Sequence, residues 1–570
     1  MGQVKSFNLI EEPWIICRTD DGTQKLSIRQ VFDGSARPLA IVGDSPTQDY
    51  AVLRVLLAIF WRAHFHDLAP KLHSRRAQEN FEWDEWFLRK REELTESNTD
   101  EIVLKYLSQW CHRFDLLDTE APFMQVAGLH TSKNTTAKVS RIIPEAEDDY
   151  FTMRTGPGRE TLEFDEAARW LVHVQAYDYS GIKSGLVGDP RVKGGRGYPI
   201  GMGWAERTGG TVVRGRILLE TLLLNSTPIC ISQGTESDRP VWERDPDTVA
   251  PQELNVAKPG DSVTLPKGPA DLATWQSRRA LLFHDGELVT AVLVGNGDRI
   301  PDAGKNVFGD PMTPYRYSPN QSKKDSPAYY PQPYDTQRMI WRSLDALIAV
   351  EGDPGFDSKL LPPKRPLNLE NLARVIDREE VLDLQIVSMS YGPKGSTYGS
   401  TVSSSVGMPL DMLKNNKWGR AIRNDVRNSA AVTGKAAKAL GVFAGNLHVA
   451  AGAEYEFGVD AAEQLFALLE PKFFGWMRRL QPRKMEAEVI HWQNTVKNTA
   501  VGIAQELLNG AGQKALIGRL REDGNNSQIV NAGSLFQQFK NKLSKELPLA
   551  EKDQLIIRHG ETSQKLESLA

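Results

Sequence analysis

Two His-Asp dipeptides are the residues of this sequence whose types suit hydrolytic chemistry. His66-Asp67 and His284-Asp285 match the pairs that bind a metal ion in HD-type phosphohydrolases. A metal site needs further ligands, and none stands at a recognisable spacing around either pair. We therefore expect neither pair to be catalytic or to hold a metal, and we expect no cofactor. Metal-dependent hydrolysis of nucleic acid or phosphoesters is kept as an alternative function.

A run of basic residues between 411 and 441 is better suited to binding an anion. Spacings of three and four place five of its cations along one side of a helix. These cations are Lys414, Lys417, Arg420, Arg423 and Arg427. Such a stripe can follow the phosphates of a nucleic acid through salt-sensitive, sequence-independent contacts. A solvated helix face explains the same pattern, so both interpretations stay open here.

Two glycine-rich segments carry lysine and aromatic neighbours. They are residues 179–185 and 391–400. Their candidate contact residues are Ser180, Gly181, Lys183, Lys394 and Gly395. Glycine lets a backbone approach a ligand closely, and exposed N–H groups can hold a phosphate or enter a narrow groove. The two segments together favour nucleic-acid contact, although most glycine-rich loops are only turns.

The charge of the 570-residue chain is unevenly distributed. The net charge is −4, but residues 403–570 contain 22 basic and 17 acidic side chains, whereas residues 1–402 contain 47 and 56. This division suggests that the basic end faces an anionic partner. Three cysteines are too few for a disulfide framework or a Cys-only zinc site. With neither a membrane-spanning apolar run nor a signal-peptide pattern, the sequence predicts a cytoplasmic protein.

Hydrophobic periodicity changes near Ser403. Before it, hairpin patterns, long polar loops and a few helices alternate without βαβ repeats, and after it the chain is helical almost throughout. The predicted helices are 48–65, 100–113, 165–176, 418–449, 461–480, 485–508 and 532–547, and the predicted hairpins are 14–28 and 281–294. Four long helices with short connections favour a bundle. The predicted fold class is α+β: a large mixed α/β body, 1–402, followed by an all-α four-helix bundle, 403–570.

Four short motifs follow one another along the chain: FNLIEEPWI from Phe7, PFMQ from Pro122, GIKSGL from Gly181 and WQSRR from Trp275. They resemble motifs of the CasA family, the large subunit of the type I-E CRISPR surveillance complex Cascade. Each motif alone is weak. Their order along the chain, followed by a helical C-terminal third, is specific to the family.

The resemblance implies a non-catalytic subunit that recognises DNA in antiviral defence. Members of the family lie near the 5′ handle of the guide RNA and read the protospacer-adjacent motif of double-stranded DNA, largely from the minor groove. They help to start strand separation and recruit a separate helicase–nuclease. Their bundle contacts other Cascade subunits, including the small-subunit dimer, and the displaced strand. The minor groove offers few distinguishing groups, which suits a short and permissive motif.

Several residues correspond to the DNA-contacting positions of the family. Segment 151–162 corresponds to its first DNA-probing loop, 180–181 to its glycine loop, and Lys305 to a minor-groove lysine. The individual candidates are Phe151, Arg154, Arg159, Ser180, Gly181 and Lys305.

The strand-separating wedge differs from the family pattern. Lys394 and Gly395 stand where some members carry an asparagine and a wedge glutamine. The backbone of 392–395, or Tyr391 or Tyr398 as an apolar wedge, would have to replace that glutamine. A scaffold whose basic bundle binds only protein is the remaining alternative to DNA recognition.

Overall fold

Helices form most of the regular structure in the part of the chain that the computed structural model describes. That part comprises residues 6–146, 152, 154–252, 265–335, 339–357, 359–377, 379–481, 484–523 and 526–550. In chain order the helices are α1 (Ile28–Phe32), α2 (Pro46–Leu68), α3 (Arg75–Glu79), α4 (Trp83–Ser97), α5 (Glu101–Trp110), α6 (Pro157–Glu160), α7 (Phe164–Tyr177), α8 (Trp204–Arg207), α9 (Leu218–Leu224), α10 (Pro269–Ala273), α11 (Met339–Ile348), α12 (Leu367–Val375), α13 (Leu410–Leu413), α14 (Lys417–Ala450), α15 (Val459–Arg478), α16 (Met485–Asn509), α17 (Gly512–Ile517) and α18 (Ala532–Glu546).

The strands form small antiparallel sheets. In chain order they are β1 (Ile15–Thr19), β2 (Gly22–Leu26), β3 (Ala40–Ile41), β4 (Lys183–Ser184), β5 (Arg196–Gly197), β6 (Gly210–Arg214), β7 (Arg278–His284), β8 (Val289–Asn296), β9 (Tyr315–Tyr317), β10 (Tyr329–Pro331), β11 (Val381–Tyr391), β12 (Tyr398–Pro409), β13 (Arg519–Asp523) and β14 (Asn526–Val530). Strand order is β2–β1–β3 in one three-stranded sheet and β12–β11–β6 in the other, and the remaining strands form pairs. The hairpins predicted at 14–28 and 281–294 are confirmed.

Helix α2 lies at the centre of the body, with almost every side chain buried. It confirms the helix predicted over 48–65. The arginines that interrupt its apolar sequence are neutralised inside the core, where Arg54 pairs with Asp310 and Arg62 with Glu243. Burial of both charges is tolerated because each guanidinium has a carboxylate partner. In the described residues, neither α2 nor any other helix is both long and apolar enough to cross a membrane.

The β12–β11–β6 sheet carries the second glycine-rich segment. Strand β11 is the middle strand, and Leu384 pairs with Val406 on one side and Val213 on the other. Residues 392–397 connect β11 to β12, and the pairing shifts by one residue between Met389 and Tyr391. Such a bulge twists the end of a hairpin. The glycine-rich turn therefore projects from the end of a sheet whose other end lies in the core.

The four long helices predicted for the C-terminal part are confirmed. They are α14, α15, α16 and α18, and each begins and ends within two residues of its predicted bounds. Helix α14 packs against the other three. Aromatic rings fill the space between them, with ring centroids 5.3 Å apart for Phe473 and Trp476 and 5.0 Å apart for Phe473 and Trp492.

The body and the bundle share one hydrophobic core. Strand β12 continues across the predicted boundary at 402/403, so helical structure begins at Leu410. Trp341, on α11, packs against Phe473 of α15 with ring centroids 4.7 Å apart. The division into 1–402 and 403–570 stays a prediction about domains, and the change of secondary structure lies slightly later.

The prediction that 403–570 is all helical is wrong at the end of β12, described above, and at one hairpin. Strands β13 and β14 pair antiparallel, with Arg519 opposite Val530 and Asp523 opposite Asn526. The sequence between them, Asp523 to Asn526, is rich in the residues that two-residue hairpin turns require. Asp, Gly and Asn at these positions are typical of a turn, but the five-residue strands on either side carry too little apolar alternation to be recognised.

Candidate nucleic-acid interface

The two glycine-rich segments lie against each other, although more than 200 residues separate them in the sequence. The backbone N–H of Ser180 donates a hydrogen bond to the carbonyl oxygen of Gly395, with an N···O distance of 2.7 Å. Lys394 and Gly395 have positive φ angles of 59° and 66°. A tight turn of this kind accommodates glycine readily and lysine only with strain. The turn leaves the Lys394 side chain exposed, directly beside the first glycine-rich segment.

A buried ionic cluster lies beneath this junction. The carboxylate of Asp178 is completely buried and pairs with Arg141 at 2.7 Å, with Lys183 at 2.8 Å and with Arg278. Burial alone would raise the pKa of the Asp178 carboxyl, but Arg141, Arg278 and Lys183 outweigh it, so the pKa lies well below its ordinary value. Asp178 is therefore ionised, and a single anion holds three cations together.

Lys183 belongs to this cluster and is not an exposed contact residue. Only 5% of it is accessible. Its ammonium group lies 3.7 Å from the centre of the Tyr179 ring, and its contact with Asp178 is an ion pair without hydrogen-bond alignment. Burial lowers the pKa of Lys183 to about 7, although Asp178 acts in the opposite direction. The predicted DNA contact of Lys183 is therefore corrected to support of the loop, because its charge is already paired.

An open cleft of about 670 Å³ lies next to the junction. Its lining includes Pro144, Glu145, Tyr179 and residues 396–401. Its walls are polar and aromatic, which suits contact with the bases and sugars of a nucleic acid. The cleft brings the second glycine-rich segment next to the residues that precede the predicted first DNA-probing loop.

The described part of that first loop is attached to the body. Arg154 pairs with Glu145 at 3.0 Å and with Glu166 at 2.6 Å. Arg159 lies half-buried on α6. Phe151 lies outside the described residues. Arg154 thus holds the loop against the wall of the cleft, since two carboxylates already neutralise its charge.

Residues 202–204 lie close both to Gly395 and to Gly304, the residue that precedes Lys305. A Cβ atom at Gly395 would lie 3.1 Å from Sδ of Met202, and one at Gly304 would lie 3.0 Å from the Trp204 ring. Lys305 is half-buried, and its Nζ lies 3.5 Å from the carbonyl oxygen of Gln321. The described side-chain contact of Lys305 is thus with the 319–321 turn, and neither glycine-rich segment is part of it.

Two arginines of the basic stripe, Arg423 and Arg427 on α14, face the body. Arg423 is fully buried, and its Nε and Nη2 lie 2.8 and 2.9 Å from the carboxylate oxygens of Asp353. Arg427 Nε lies 2.7 Å from Asp345, whereas Arg420 is exposed. The predicted DNA contact of Arg423 is corrected, because its charge is buried against Asp353. Arg427 is half-buried and paired with Asp345, and its DNA contact stays a prediction. Periodicity identified the helical face but not what covers it.

The two His-Asp pairs occupy structural positions. His66 Nε2 lies 3.1 Å from Glu243, the carboxylate that also pairs with Arg62. Asp285 accepts hydrogen bonds from two backbone N–H groups that close the turn between β7 and β8. Within the described ranges, no three His, Cys, Asp or Glu side chains are grouped as metal ligands.

Sequence reasoning missed the residues that support the junction. Asp178 directly precedes the first glycine-rich segment, and Arg278 belongs to the WQSRR motif. Arg141 carries no pattern of its own. Asp178 and Arg278 could have been found in the sequence, because each is a charged residue next to a segment predicted to be buried and therefore needs a partner of opposite charge.

A family model described as CRISPR-associated protein Cse1 matches residues 8–503 of the chain. The chain belongs to the Cse1 family. A crystal structure of Thermobifida fusca Cse1 is 35% identical, with a TM-score of 0.77, and the match covers 96% of this chain and 99% of that one. The CasA/Cse1 protein of Thermus thermophilus is 25% identical over 408 residues, 68% of this chain and 71% of the relative. The Cse1 fold also recurs in a chain of a CRISPR RNA-guided surveillance complex, at 19% identity and a TM-score of 0.64 over 94% of this chain and 99% of that one.

Proposed function

We propose that this Cse1-family chain is the DNA-recognition subunit of an RNA-guided surveillance complex. It reads the protospacer-adjacent motif of double-stranded DNA, helps to separate the strands next to the motif, and recruits a separate helicase–nuclease without cleaving DNA itself. The guide-RNA handle and the other Cascade subunits, including the small-subunit dimer, are its proposed partners. Family membership supports the association, and the recurrence of the fold in a surveillance-complex chain agrees with it.

The observation that carries the proposal is the junction of the glycine-rich segments. Ser180 and Gly395 hold two loops side by side, and Lys394 extends from their common tip. Backbone with little side-chain bulk can enter a minor groove, and a lysine at its edge attracts the phosphates. The motif read in this way is short, so guide pairing supplies most of the sequence discrimination.

The wedge that separates the first base pair is the backbone of 392–395 in this proposal. Tyr391 and Tyr398, the two candidates for an apolar wedge, are each held by a hydrogen bond from the hydroxyl group. The hydroxyl of Tyr391 donates to the carbonyl oxygen of Tyr177 at 3.0 Å, and that of Tyr398 donates to the Asp178 carboxylate at 3.4 Å. A side chain held in this way supports the turn instead of entering the duplex. Unstacking one step costs a few kcal/mol, which phosphate contacts can offset.

The bundle offers cations that are more exposed than Arg423 and Arg427. Lys435, Lys438 and Lys542 border a groove between α14 and α18. We include this groove with Arg420 among the candidate contacts of the displaced strand or of the small subunits. Charge on the outer face of a bundle increases the rate of encounter with an anionic partner.

The decisive experiment compares complexes with and without this chain on duplexes that differ only in the motif. A motif preference that requires the chain supports the proposal, and an unchanged preference contradicts it. Metal-dependent cleavage by the chain, lost in His66→Ala, would favour the hydrolase alternative. If the chain is needed for assembly of the complex but does not change its DNA binding, the alternative of a scaffold that binds only protein would be favoured.

Lys394→Ala tests the tip of the junction in the assembled complex. Affinity for the motif-bearing duplex should fall roughly tenfold. The slope of log affinity against log salt concentration should fall by about 1, the value for one lost phosphate contact. Binding of a single-stranded target, which needs no opening, should change little. Lys105→Ala, at an exposed position on α5, is the matched control. Equal losses on duplex and single strand would indicate general charge attraction instead.

A further inference from the structure

One buried carboxylate connects four parts of the body. Asp178 follows α7 directly, and its cationic partners come from three other elements. Arg141 lies on a 3-10 turn spanning 139–142, Lys183 on β4, and Arg278 on β7. The Asp178 and Arg278 side chains are no more than 1% exposed, and Arg141 is the most exposed of the four, at 16%. No other carboxylate among the described ion pairs meets cations from so many elements.

The same cluster is tied to both glycine-rich segments. The guanidinium of Arg278 donates to the carbonyl oxygens of Asp178 and Tyr179, which lead into the first segment. The second segment is attached through Tyr398, whose hydroxyl donates to Asp178, and through Tyr391. The backbone bond between the segments is formed directly above these contacts. The spacing of the loops therefore depends on the residues around Asp178.

Stability alone does not account for this arrangement. Three cations surround one carboxylate, and the excess positive charge is costly to bury. A well-packed apolar group of similar volume is often as stabilising as a buried ion pair, whereas ionic contacts specify geometry through their directions. The cluster is thus better suited to fixing the positions of the loops than to strengthening the core.

We propose that Asp178 is a positioning residue that holds the two glycine-rich segments at the spacing in which both reach one duplex. It does not touch the DNA and acts through Tyr398 and Arg278. The identity of the ligand rests on the proposed function, whereas the control of loop spacing does not. The two parts can therefore be tested separately.

Loop spacing is tested in the free full-length chain by disulfide formation. Ser180→Cys and Gly395→Cys place Cβ atoms about 3.9 Å apart, within the range of protein disulfides. Cys111→Ser removes the native thiol that is only partly buried. Asp178→Asn, which keeps the shape but removes the charge, should slow formation at a fixed oxidant concentration at least fivefold. Asp353→Asn is the matched control, because Asp353 also pairs with a buried arginine, and its described partners, Arg423 and Val350, lie outside both loops.

Reading of the motif is tested in the assembled complex. Asp178→Asn should reduce the preference for motif-bearing over motif-free duplex roughly tenfold and leave single-stranded target binding within twofold. Tyr398→Phe removes the hydroxyl that donates to Asp178 and keeps the ring, so it should fold normally and reduce the same preference by a smaller factor. The double variant Asp178→Asn with Lys183→Met restores the net charge of the cluster. It should not recover the motif preference, because Arg141 and Arg278 then lack the carboxylate that holds them.

The outcomes separate the two ideas. Unchanged disulfide formation in Asp178→Asn, or an equal decrease in Asp353→Asn, would overturn the positioning role. Recovery of the motif preference together with stability in the double variant would also overturn it, since charge balance would then explain the whole effect. If disulfide formation slows selectively but the wild-type complex has no motif preference, the positioning role stands and the proposed function fails.

Discussion

Replacing Arg423 by alanine distinguishes a structural role of the basic stripe from a DNA-binding role. Arg423 is 0% exposed and makes two hydrogen bonds to Asp353. It also donates to the carbonyl oxygens of Met412 and Lys414 at 3.0 and 2.8 Å. Its removal would leave a buried carboxylate whose remaining described donor is the backbone N–H of Val350. We expect the free energy of unfolding to fall by about 3–5 kcal/mol.

The assay is urea unfolding of the full chain, followed by tryptophan fluorescence. Arg420→Ala is the control on the same helix, and its exposed position predicts a change below about 0.5 kcal/mol. Replacing the pair together, as Arg423→Met with Asp353→Leu, should recover most of the loss because no buried charge remains unpaired. If Arg423→Ala is as stable as Arg420→Ala, the structural assignment is refuted. A stable variant whose complex has lost DNA affinity would restore the original interpretation of the stripe.

Two further expectations concern buried groups. In the folded chain the pKa of Lys183 lies near 7, below its value of about 10.5 in the unfolded chain. The protonated side chain therefore destabilises the fold to its full extent below pH 7. This destabilisation disappears as the pH rises towards about 10.5. The thermal stability of Lys183→Met relative to wild type should therefore be greatest below pH 7 and decrease from pH 7 to 10, and a difference independent of pH would contradict the assignment. Burial raises the pKa of Cys17 and Cys230 to about 12, so a thiol reagent at pH 8 should modify only Cys111 in the native chain and all three in denaturant. Rapid native reaction of more than one thiol would contradict it.

The helices of this protein were predictable because their signal is local. Apolar residues recur at helical spacing within one segment, and glycines or Asp-Gly-Asn sequences end the segments. Helices α14, α15, α16 and α18 were found within two residues for this reason. The β13–β14 hairpin was missed, because short strands with mixed polarity leave no comparable pattern.

The candidate site was predictable only in part. Composition identifies both glycine-rich segments, and Lys394 is exposed, as a contact residue must be. Lys183 and Arg423 were selected by the same criterion and are buried. A basic residue has the same appearance in a sequence whether solvent or a carboxylate surrounds it. Only the distant partners Asp178 and Asp353 decide between the two.

The amino-acid sequence by itself determined the family, the fold class and the segments whose backbone is free to approach a ligand. These features depend on residue types and on spacings of a few positions, so they can be identified without knowledge of distant contacts. The tertiary structure decided which cations are available and which loops lie together. Ser180 and Gly395 meet because α7 and the β11–β12 hairpin pack on the same core. Long-range packing brings such groups within hydrogen-bond distance, and no local pattern records which groups will meet.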